Sequence, residues 1–282
     1  GRRKKKRTWR KMLALFLGLL LVYILFVEHG MIVISQEIIK SERISEQADG
    51  LKIVQIADTH LGFGENLRNL RQAAQKINEM NCDLIVFCGD LFDNYADNDQ
   101  DRAEAVAILS SLQARLGKFA VYGNHDYGGG AKKAFRETME AAGFTVLVQE
   151  SHYFAEEKIN LIGLDDYIFG HHVGPLTQDL FVPEDAYQIL LCHEPDKADE
   201  FRQYPIDLQL SGHSHGGQVQ LPFYGAVVLP PLGETYYDGF YQIKEGERPY
   251  TLYVNRGLGT TKVNLRFMAP PQITVFTLQQ VK

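Results

Sequence analysis

The sequence predicts an α/β fold preceded by one transmembrane helix, and three observations lead to this prediction. Short apolar runs typical of buried strands alternate with amphipathic segments of helical periodicity, which is the pattern of βαβ units around a partly parallel sheet. An uncharged apolar stretch close to the amino terminus has the composition of a membrane helix. The chain has 282 residues, of which 45% are hydrophobic, so it can bury the core of one large domain.

The amino terminus is strongly basic. Residues 1–11 contain eight Lys and Arg residues, and subtracting them from the formal net charge of -6 leaves -14 for the rest of the chain. An acidic body has no electrostatic reason to bind nucleic acid, whereas a basic tip suits the cytoplasmic side of a membrane. We therefore expect no nucleic-acid partner and a cytoplasmic tip over residues 1–11.

Residues 12–34 are predicted to form a transmembrane anchor. The uncharged run Met12–Val27 would span about 24 Å as a helix, against a hydrocarbon core of ~30 Å. Extension to Ile34 supplies the missing length and places Trp9 and the Glu28–Gly30 trio near the two interfaces. A cleaved signal peptide is the alternative, but no small-x-small cleavage site follows the run. The positive-inside rule then predicts a single-pass protein of the cell membrane whose domain lies outside the cytoplasm.

Residues 35–48 are predicted to be a linker or an edge strand, and residues 49–282 to form one domain. Its strand-like runs are Leu51–Ala57, Leu84–Cys88, Phe119–Tyr122, Ile189–Cys192 and Leu208–Leu210. Helical patterns cover Leu67–Met80 and Arg102–Leu116. Further runs at Val227–Leu229, Tyr250–Val254 and Ile273–Leu278 predict a second, mostly antiparallel sheet packed on the first.

Three cysteines lie in or beside apolar runs, at Cys82, Cys88 and Cys192. An odd number cannot pair completely, and buried small hydrophobic residues are the simplest interpretation of their surroundings. We expect neither a disulfide framework nor a thiolate metal site.

A potential metal ligand follows each of the first five strand-like runs. These residues are Asp58, His60, Asp90, Asn124, His125, His193, His213 and His215. Reacting groups in an α/β sheet gather at the carboxyl ends of strands, so these distant side chains can converge. Taken singly, each has an ordinary explanation as a turn residue or a hydrogen-bonded histidine. Turn chemistry, however, does not require histidine at four separate strand ends.

The mixture of Asp, His and Asn suits two divalent ions that share a carboxylate, for which Asp90 is the natural bridge. Such ligands accept Mn, Fe, Zn or Co, and manganese is favoured. The sequence has no His-Glu-x-x-His helix, paired Cys-x-x-Cys or EF-hand loop, which argues against other metal sites. Ser214 stands in a Gly-x-Ser-x-Gly pattern at residues 212–216, but it lies between two histidines that are themselves candidate ligands, which argues against a serine nucleophile.

These residues resemble a known family. The segments Asp58-Thr59-His60, Gly89-Asp90-Leu91-Phe92-Asp93, Gly123-Asn124-His125-Asp126, His193 and Gly212-His213-Ser214-His215 are similar, in this order, to the five motifs of the calcineurin-like metallophosphoesterase superfamily. The likeness spans residues 51–217. The stretches GHSHGGQVQLP and NRGLGTT also look like a bacterial branch of membrane-associated or exported phosphodiesterases.

The resemblance implies a four-layer α/β/β/α sandwich and two metal ions. One ion would take Asp58, His60, Asp90 and His215, and the other would take Asp90, Asn124, His193 and His213. His125 would be the acid near the leaving group, and a carboxylate such as Asp126 would orient it. A hydroxide held between the two ions would attack phosphorus. Asp93 is expected to support the loop that carries Asp90.

Three functions remain open at this level. The first is a phosphodiesterase or pyrophosphatase that acts near the membrane on a phosphodiester or lipid-linked phosphate of the cell envelope. The second is a UDP-diacylglucosamine-type lipid pyrophosphatase on the cytoplasmic face. The third is a non-catalytic membrane scaffold that keeps metals only for folding.

Overall fold

The computed structural model describes residues 2–94, 99–171, 174–246 and 248–281. Within these ranges the helices are α1 (Arg2–Phe26), α2 (Asn66–Asn78), α3 (Asp99–Ser110) and α4 (Lys132–Ala141). The strands are β1 (Val33–Ser41), β2 (Lys52–Ile56), β3 (Leu84–Cys88), β4 (Gly117–Val121), β5 (Phe144–Val146), β6 (Glu150–Phe154), β7 (Ile159–Gly163), β8 (Tyr187–Leu191), β9 (Leu208–Ser211), β10 (Gln220–Leu221), β11 (Gly225–Ala226), β12 (Gly239–Lys244), β13 (Tyr250–Val254) and β14 (Gln272–Gln280).

Two six-stranded sheets form the body of the domain. The first has the order β1-β14-β2-β3-β4-β5, with β2 to β5 parallel and β14 antiparallel to β2. The second has the order β12-β13-β9-β8-β7-β6, with β13, β9, β8 and β7 parallel and an antiparallel strand at each edge. Parallel neighbours bring their carboxyl ends to one edge of a sheet, which is where a site can be assembled.

Three buried apolar clusters define four layers. One lies between α2, α3 and α4 and the outer face of the first sheet, and includes Leu70, Ile77 and Phe135. The second fills the space between the sheets, and the third covers the outer face of the second sheet with the 3-10 helices Gln178–Phe181 and Pro195–Gln203. The predicted α/β/β/α sandwich is therefore confirmed, and its fourth layer is made of 3-10 helices and loops.

The second sheet differs from the prediction of a mostly antiparallel sheet. Its centre is parallel, because β8 and β9 belong to it and β13 pairs with β9 in the same direction. The run Ile273–Leu278 lies in the first sheet as part of β14, and residues 227–229 form no strand. The helix predicted at Arg102–Leu116 ends at Ser110 as α3, and α4 was not predicted.

The amino-terminal helix leads directly into the domain. In the part of the chain that the structure describes, one helical stretch is long and apolar enough to cross a membrane. It runs over Thr8–Gly30 and so includes most of α1 and the turn after it. A 3-10 turn at Glu28–Gly30 follows α1, and the chain then forms β1, so the apolar stretch predicted to continue to Ile34 is divided between a helix and an edge strand. The predicted linker 35–48 contains most of that strand.

Glu28 and His29 pack against the domain instead of facing solvent. Glu28 Oε1 accepts a hydrogen bond of 2.9 Å from Ala269 N, and Asn69 Nδ2 donates to His29 O at 2.8 Å. These bonds attach the end of the apolar helix to two elements of the domain.

Candidate metal centre

The carboxyl ends of five strands from both sheets meet at one place. Asp58 follows β2, Asp90 follows β3, Asn124 follows β4, His193 follows β8 and His213 follows β9, each after two or three residues. His60 and His215 lie two residues further along their loops. The structure thus brings together six of the seven side chains expected as metal ligands, all of them buried, and it places the half-buried Asn124 on the loop after β4.

One half of the cluster consists of Asp58, His60 and His215, whose ligand atoms lie within 4.8 Å of one another. The Nε2 atoms of His60 and His215 are 3.0 Å apart. His215 Nε2 lies 3.7 Å from Asp58 Oδ1. Two imidazole nitrogens that face each other so closely need a proton or a cation between them.

The other half consists of Asp90, His193 and His213, again within 4.8 Å. His193 Nε2 lies 3.2 Å from His213 Nδ1 and 3.3 Å from Asp90 Oδ2. The same Asp90 oxygen is 3.4 Å from His60 Nε2, so it stands between the two halves. This is the position that a bridging carboxylate requires.

Asn124, on the loop after β4, offers a further oxygen that could bind a cation. Among the described residues, its Oδ1 is one of the buried polar side-chain atoms without a hydrogen-bond partner. A buried amide oxygen without a partner is costly in a protein interior unless an ion or water satisfies it. The donor set therefore fits two divalent cations.

Three histidines use one ring nitrogen to hold the ring and turn the other toward the cluster. His193 Nδ1 contacts Cys88 O at 2.6 Å, His213 Nε2 contacts Pro231 O at 2.8 Å, and His60 Nδ1 contacts Asp93 Oδ1 at 3.0 Å. A carbonyl or carboxylate partner places the proton on the outer nitrogen, so the inner nitrogen keeps its lone pair for a metal.

The loops that carry the cluster have an unusual backbone. Asp58, His60, Asp90, His213 and His215 have φ of 49, 42, 61, 72 and 54°. Residues other than Gly seldom adopt this left-handed region, and each case costs on the order of 1–3 kcal/mol. Hydrogen bonds between loops offset part of this cost, for example from Asp58 N to Gly89 O and from His60 N to Asp90 O. Strain of this kind typically collects at functional sites.

Glycine is required where the loops cross. Gly89 has a φ of 88°, and a Cβ at this position would lie 2.5 Å from His193 Nδ1 and 2.6 Å from Gly123 N. A Cβ at Gly123 would in turn collide with the Asp90 carboxylate. The two glycines therefore permit the close approach of β3 and β4 to the loop after β8.

Burial keeps three of the histidines neutral. It lowers the pKa of His60, and it lowers the pKa of His213 to about 4. Burial, together with the neighbouring His60 and Arg266, holds the pKa of His215 well below its ordinary value. Neutral imidazoles are the form that binds metal ions.

The carboxylates and His193 form a coupled group. Burial raises the pKa of Asp58 to about 7. Burial alone would raise the pKa of Asp90 and lower that of His193, but their mutual attraction and hydrogen bond outweigh it. The pKa of Asp90 is therefore held well below its ordinary value and that of His193 well above it. Without a cation, His193 supplies the positive charge that Asp90 requires.

His125 lies beside the cluster, with ligand atoms of His60, Asp90 and His125 within 4.8 Å of one another, but Asp126 is not its partner. The His125 side chain is 28% exposed, its Nδ1 contacts Asp93 O at 3.0 Å, and the nearby carboxylate is that of Asp93 at 3.8 Å. Asp126 is buried, and its two oxygens accept hydrogen bonds from the backbone N–H groups of Asp90, Leu91 and Gly123. Asp126 thus holds the loop of Asp90, and Asp93 is the carboxylate beside the His125 ring.

Arg266 is a residue of the site that the sequence reasoning missed. It is fully buried and donates to His215 O at 3.1 Å, Ala269 O at 2.7 Å and Arg256 O at 2.8 Å. Its Nη2 lies 3.4 Å from His215 Nδ1. The available signal was a single Arg between Leu265 and Phe267 in an otherwise apolar stretch. Arg256, by contrast, forms an ion pair with Asp238 at 2.7 Å.

Comparisons with known proteins agree with this geometry. Residues 51–217 match the family model of the calcineurin-like phosphoesterases. The chain is 43% identical to the uncharacterized metallophosphoesterase YkuE of Bacillus subtilis over 91% of this chain and 89% of that protein. It is 31% identical to the phosphodiesterase YaeI of Escherichia coli, over 83% and 84% of the two chains. It is 28% identical to the UDP-2,3-diacylglucosamine pyrophosphatase LpxG of Chlamydia trachomatis, over 79% of this chain and 82% of that protein. The chain therefore belongs to the calcineurin-like phosphoesterase family and is a metal-dependent phosphoester hydrolase.

Proposed function

We propose that the protein hydrolyses phosphodiester or pyrophosphate bonds near a membrane, in a lipid or another component of the cell envelope. The observation that carries the reaction is the convergence of two ligand groups on Asp90 Oδ2, 3.4 Å from His60 Nε2 and 3.3 Å from His193 Nε2. The membrane part of the proposal is supported by the apolar helix and by the likeness to a lipid pyrophosphatase.

The proposed ligand sets follow the two halves of the cluster. Asp58, His60, Asp90 and His215 would hold one cation, and Asp90, Asn124, His193 and His213 would hold the other. Manganese is the favoured ion. Two cations held there would polarise the phosphoryl group and lower the pKa of water.

The side chains of the protein then have separate tasks. His125 Nδ1 donates to Asp93 O, so only the doubly protonated ring also carries a proton on Nε2, and this proton would go to the leaving oxygen. Asp126 keeps the Asp90 loop in place through three backbone hydrogen bonds. Asp93 orients His60 and accepts a hydrogen bond of 2.7 Å from Thr261 Oγ1. These three residues fix the positions of the groups around the reacting phosphorus.

The test is hydrolysis of an aryl phosphodiester, bis(p-nitrophenyl) phosphate, with added Mn²⁺. We expect Asp90→Asn to reduce turnover to background, because an amide cannot serve as an anionic bridge between two cations. The matched control is Asp185→Asn, an exposed residue before β8, which should retain activity. Equal activity of the two variants, with the same folded circular dichroism spectrum, would refute the site.

A second candidate is hydrolysis of a UDP-diacylglucosamine-type lipid, which the likeness to LpxG favours. The aryl diester does not separate the two possibilities. A parallel assay with UDP-2,3-diacylglucosamine in detergent micelles does, because only this candidate predicts release of UMP. Turnover in either assay excludes the scaffold interpretation.

A further inference from the structure

Strands β10 and β11 form a hairpin that exposes apolar side chains beside the metal centre. We call residues 220–228 the apolar hairpin. In it Phe223 is fully exposed, Tyr224 and Val228 are 74% and 70% exposed, and Leu221 and Val227 are 43% and 46% exposed. The surrounding segment 216–233 contains no Asp, Glu, Lys or Arg. Clustered exposed apolar side chains without charges typically mark an interaction surface.

Phe223, at the tip of the apolar hairpin, has a strained backbone conformation. Tyr224 N donates to Leu221 O at 3.1 Å and closes a four-residue turn with Pro222 in its second position. Phe223 follows in the third position with a φ of 67°, where Gly or Asn is ordinarily found. Since Phe223 is fully exposed, it gains no core contact in return. An external apolar environment would explain an aromatic residue here.

The apolar hairpin is fixed to the loop that carries His215. Gln220 Nε2 donates to Gly216 O at 3.0 Å. Gly217 is packed so closely that a Cβ on it would lie 2.5 Å from Ala226 Cβ. After the hairpin, Pro231 O holds the ring of His213 at 2.8 Å. The hairpin is therefore held in a defined position beside the metal centre.

The base of the apolar hairpin is also connected to the end of α1. Gln220 N donates to Phe267 O at 2.8 Å, and Phe267 N donates to Gln218 O at 2.9 Å. Two residues further on, Ala269 N donates to Glu28 Oε1 at 2.9 Å. A two-residue step spans at most about 7 Å. The base of the hairpin is therefore joined to Glu28, two residues beyond the end of α1, through this short segment and a hydrogen bond at each of its ends.

The loop that carries Phe267 adds two further exposed apolar residues and one positively charged side chain. Val263 and Met268 are each 49% exposed, and Lys262 lies beside Val263 on the exposed surface. Thr261 is tied to the base of the hairpin, since its N donates to Gln218 Oε1 at 2.7 Å. A lysine next to apolar side chains suits a lipid surface, because it can reach phosphate headgroups while the apolar groups lie deeper.

We propose that the apolar hairpin inserts into the interface of the bilayer next to the end of α1. This contact would hold the metal centre against the membrane surface and present to it the phosphates of lipid-linked substrates. The inference rests on the proposed membrane attachment, and it names the lipid surface as the partner of this hairpin.

The experiment uses tryptophan quenching in the full-length protein. The chain contains a single tryptophan, Trp9, at the start of the apolar helix. The unmodified protein, reconstituted into phosphatidylethanolamine and phosphatidylglycerol vesicles with brominated acyl chains, reports whether this helix enters the bilayer. Trp9→Phe combined with Phe223→Trp moves the reporter to the apolar hairpin. Trp9→Phe combined with Tyr153→Trp is the matched control on β6, at the far edge of the second sheet.

We expect the reporter at position 223 to shift to shorter emission wavelengths in vesicles and to lose intensity with brominated lipid, while the reporter at position 153 does neither. Quenching of Trp9 without quenching at position 223 would overturn the inference but leave the membrane attachment intact. A blue shift at position 223 without quenching would also overturn it, because the hairpin would then contact protein. Absence of quenching at both Trp9 and position 223 would contradict the proposed membrane attachment itself. Phosphodiester hydrolysis is measured separately and does not depend on these outcomes.

Discussion

Arg266 connects the metal centre to the loop that receives the amino-terminal helix. It donates to backbone carbonyls of Gly259, Arg256, Ala269 and His215, and burial lowers its pKa to about 9. The positive charge beside His215 also helps to keep that imidazole neutral. Arg266 is therefore a positioning residue that acts on the cations through His215.

Replacement of Arg266 by Lys should weaken both stability and metal binding. Lys has three donors on one atom, whereas the guanidinium has five in a planar fork, so carbonyls are left without partners. We expect a loss of roughly 2–3 kcal/mol in the free energy of unfolding, measured by urea titration.

Arg256→Lys is the matched control for this change. Arg256 Nε donates to Asp238, and Lys keeps the charge of this ion pair, so the replacement should cost about 1 kcal/mol. Weaker Mn²⁺ binding by Arg266→Lys but not by Arg256→Lys would support the positioning role. Identical behaviour of the two variants would contradict it.

Binding of metal ions should release protons, and the number released should be larger below pH 7 than above it. Below pH 7 the ion-free Asp58 holds a proton, because burial raises its pKa to about 7, and a cation must displace that proton. Affinity for Mn²⁺ should therefore fall as the pH falls below 7, by about tenfold per pH unit for each proton released. Above pH 7, Asp58 is already ionised and no longer contributes.

Isothermal titration with Mn²⁺ at pH 6 and pH 8 measures this release. Buffers with different enthalpies of ionisation give the number of protons at each pH. More protons at pH 6 than at pH 8 are expected. Equal numbers would show that Asp58 is already ionised in the ion-free protein at pH 6.

At the scale of the elements, the loops that follow β3, β4 and β8 pass close to one another, and this close approach depends on Gly89. Gly89→Ala should reduce stability and metal binding together, because the new methyl group would meet His193 Nδ1 and Gly123 N. Gly50→Ala is an internal control, since Gly50 has a similar φ of 82° and nothing within 4 Å of the added atom.

The control isolates the cost of placing Ala in the left-handed backbone region, which is roughly 1–2 kcal/mol. The difference in melting temperature and in Mn²⁺ affinity between the two variants then measures the contact with His193. If Gly50→Ala and Gly89→Ala lose the same stability and both keep their metal affinity, close packing at Gly89 does not position the site.

Local sequence patterns predicted the strands whose ends carry the cluster. The run Leu84–Cys88 has the same bounds as β3, because a buried parallel strand reads as a short continuous apolar segment and the polar Asp90 marks its end. The same pattern does not specify a partner strand. Val275 of β14 pairs with Val54 in the first sheet, although its apolar run predicted the second.

Long-range contacts account for the parts of the site that the sequence did not predict. An isolated Arg in an apolar stretch suggests that Arg266 is buried, but its partner His215 is 51 residues away and is identified only in the folded chain. Asp126 follows His125 directly in sequence, yet its carboxylate faces the backbone of Asp90 and Leu91. Adjacency in sequence therefore suggested the wrong carboxylate for His125.

At the scale of the whole molecule, a continuous set of contacts joins the apolar helix to the metal centre. Glu28 accepts from Ala269 N, Arg266 donates to Ala269 O, and Arg266 also donates to His215 O. Edge strand β1 adds a second attachment, since it pairs along its whole length with β14. The helix is thus held in a defined position relative to the site, and a membrane around it would fix the direction that the site faces.

The side of the membrane on which the domain lies can be tested with introduced cysteines, because the three native ones are buried. With the basic tip of residues 1–11 in the cytoplasm, Ser151→Cys on the exposed edge strand β6 should react with a membrane-impermeant maleimide in intact bacterial cells. Thr8→Cys, before the apolar run, should react only after permeabilisation. The reverse labelling would place the domain in the cytoplasm. That orientation would favour the UDP-diacylglucosamine-type pyrophosphatase over an enzyme of the outer surface, because nucleotide-linked lipid precursors are available to a site that faces the cytoplasm.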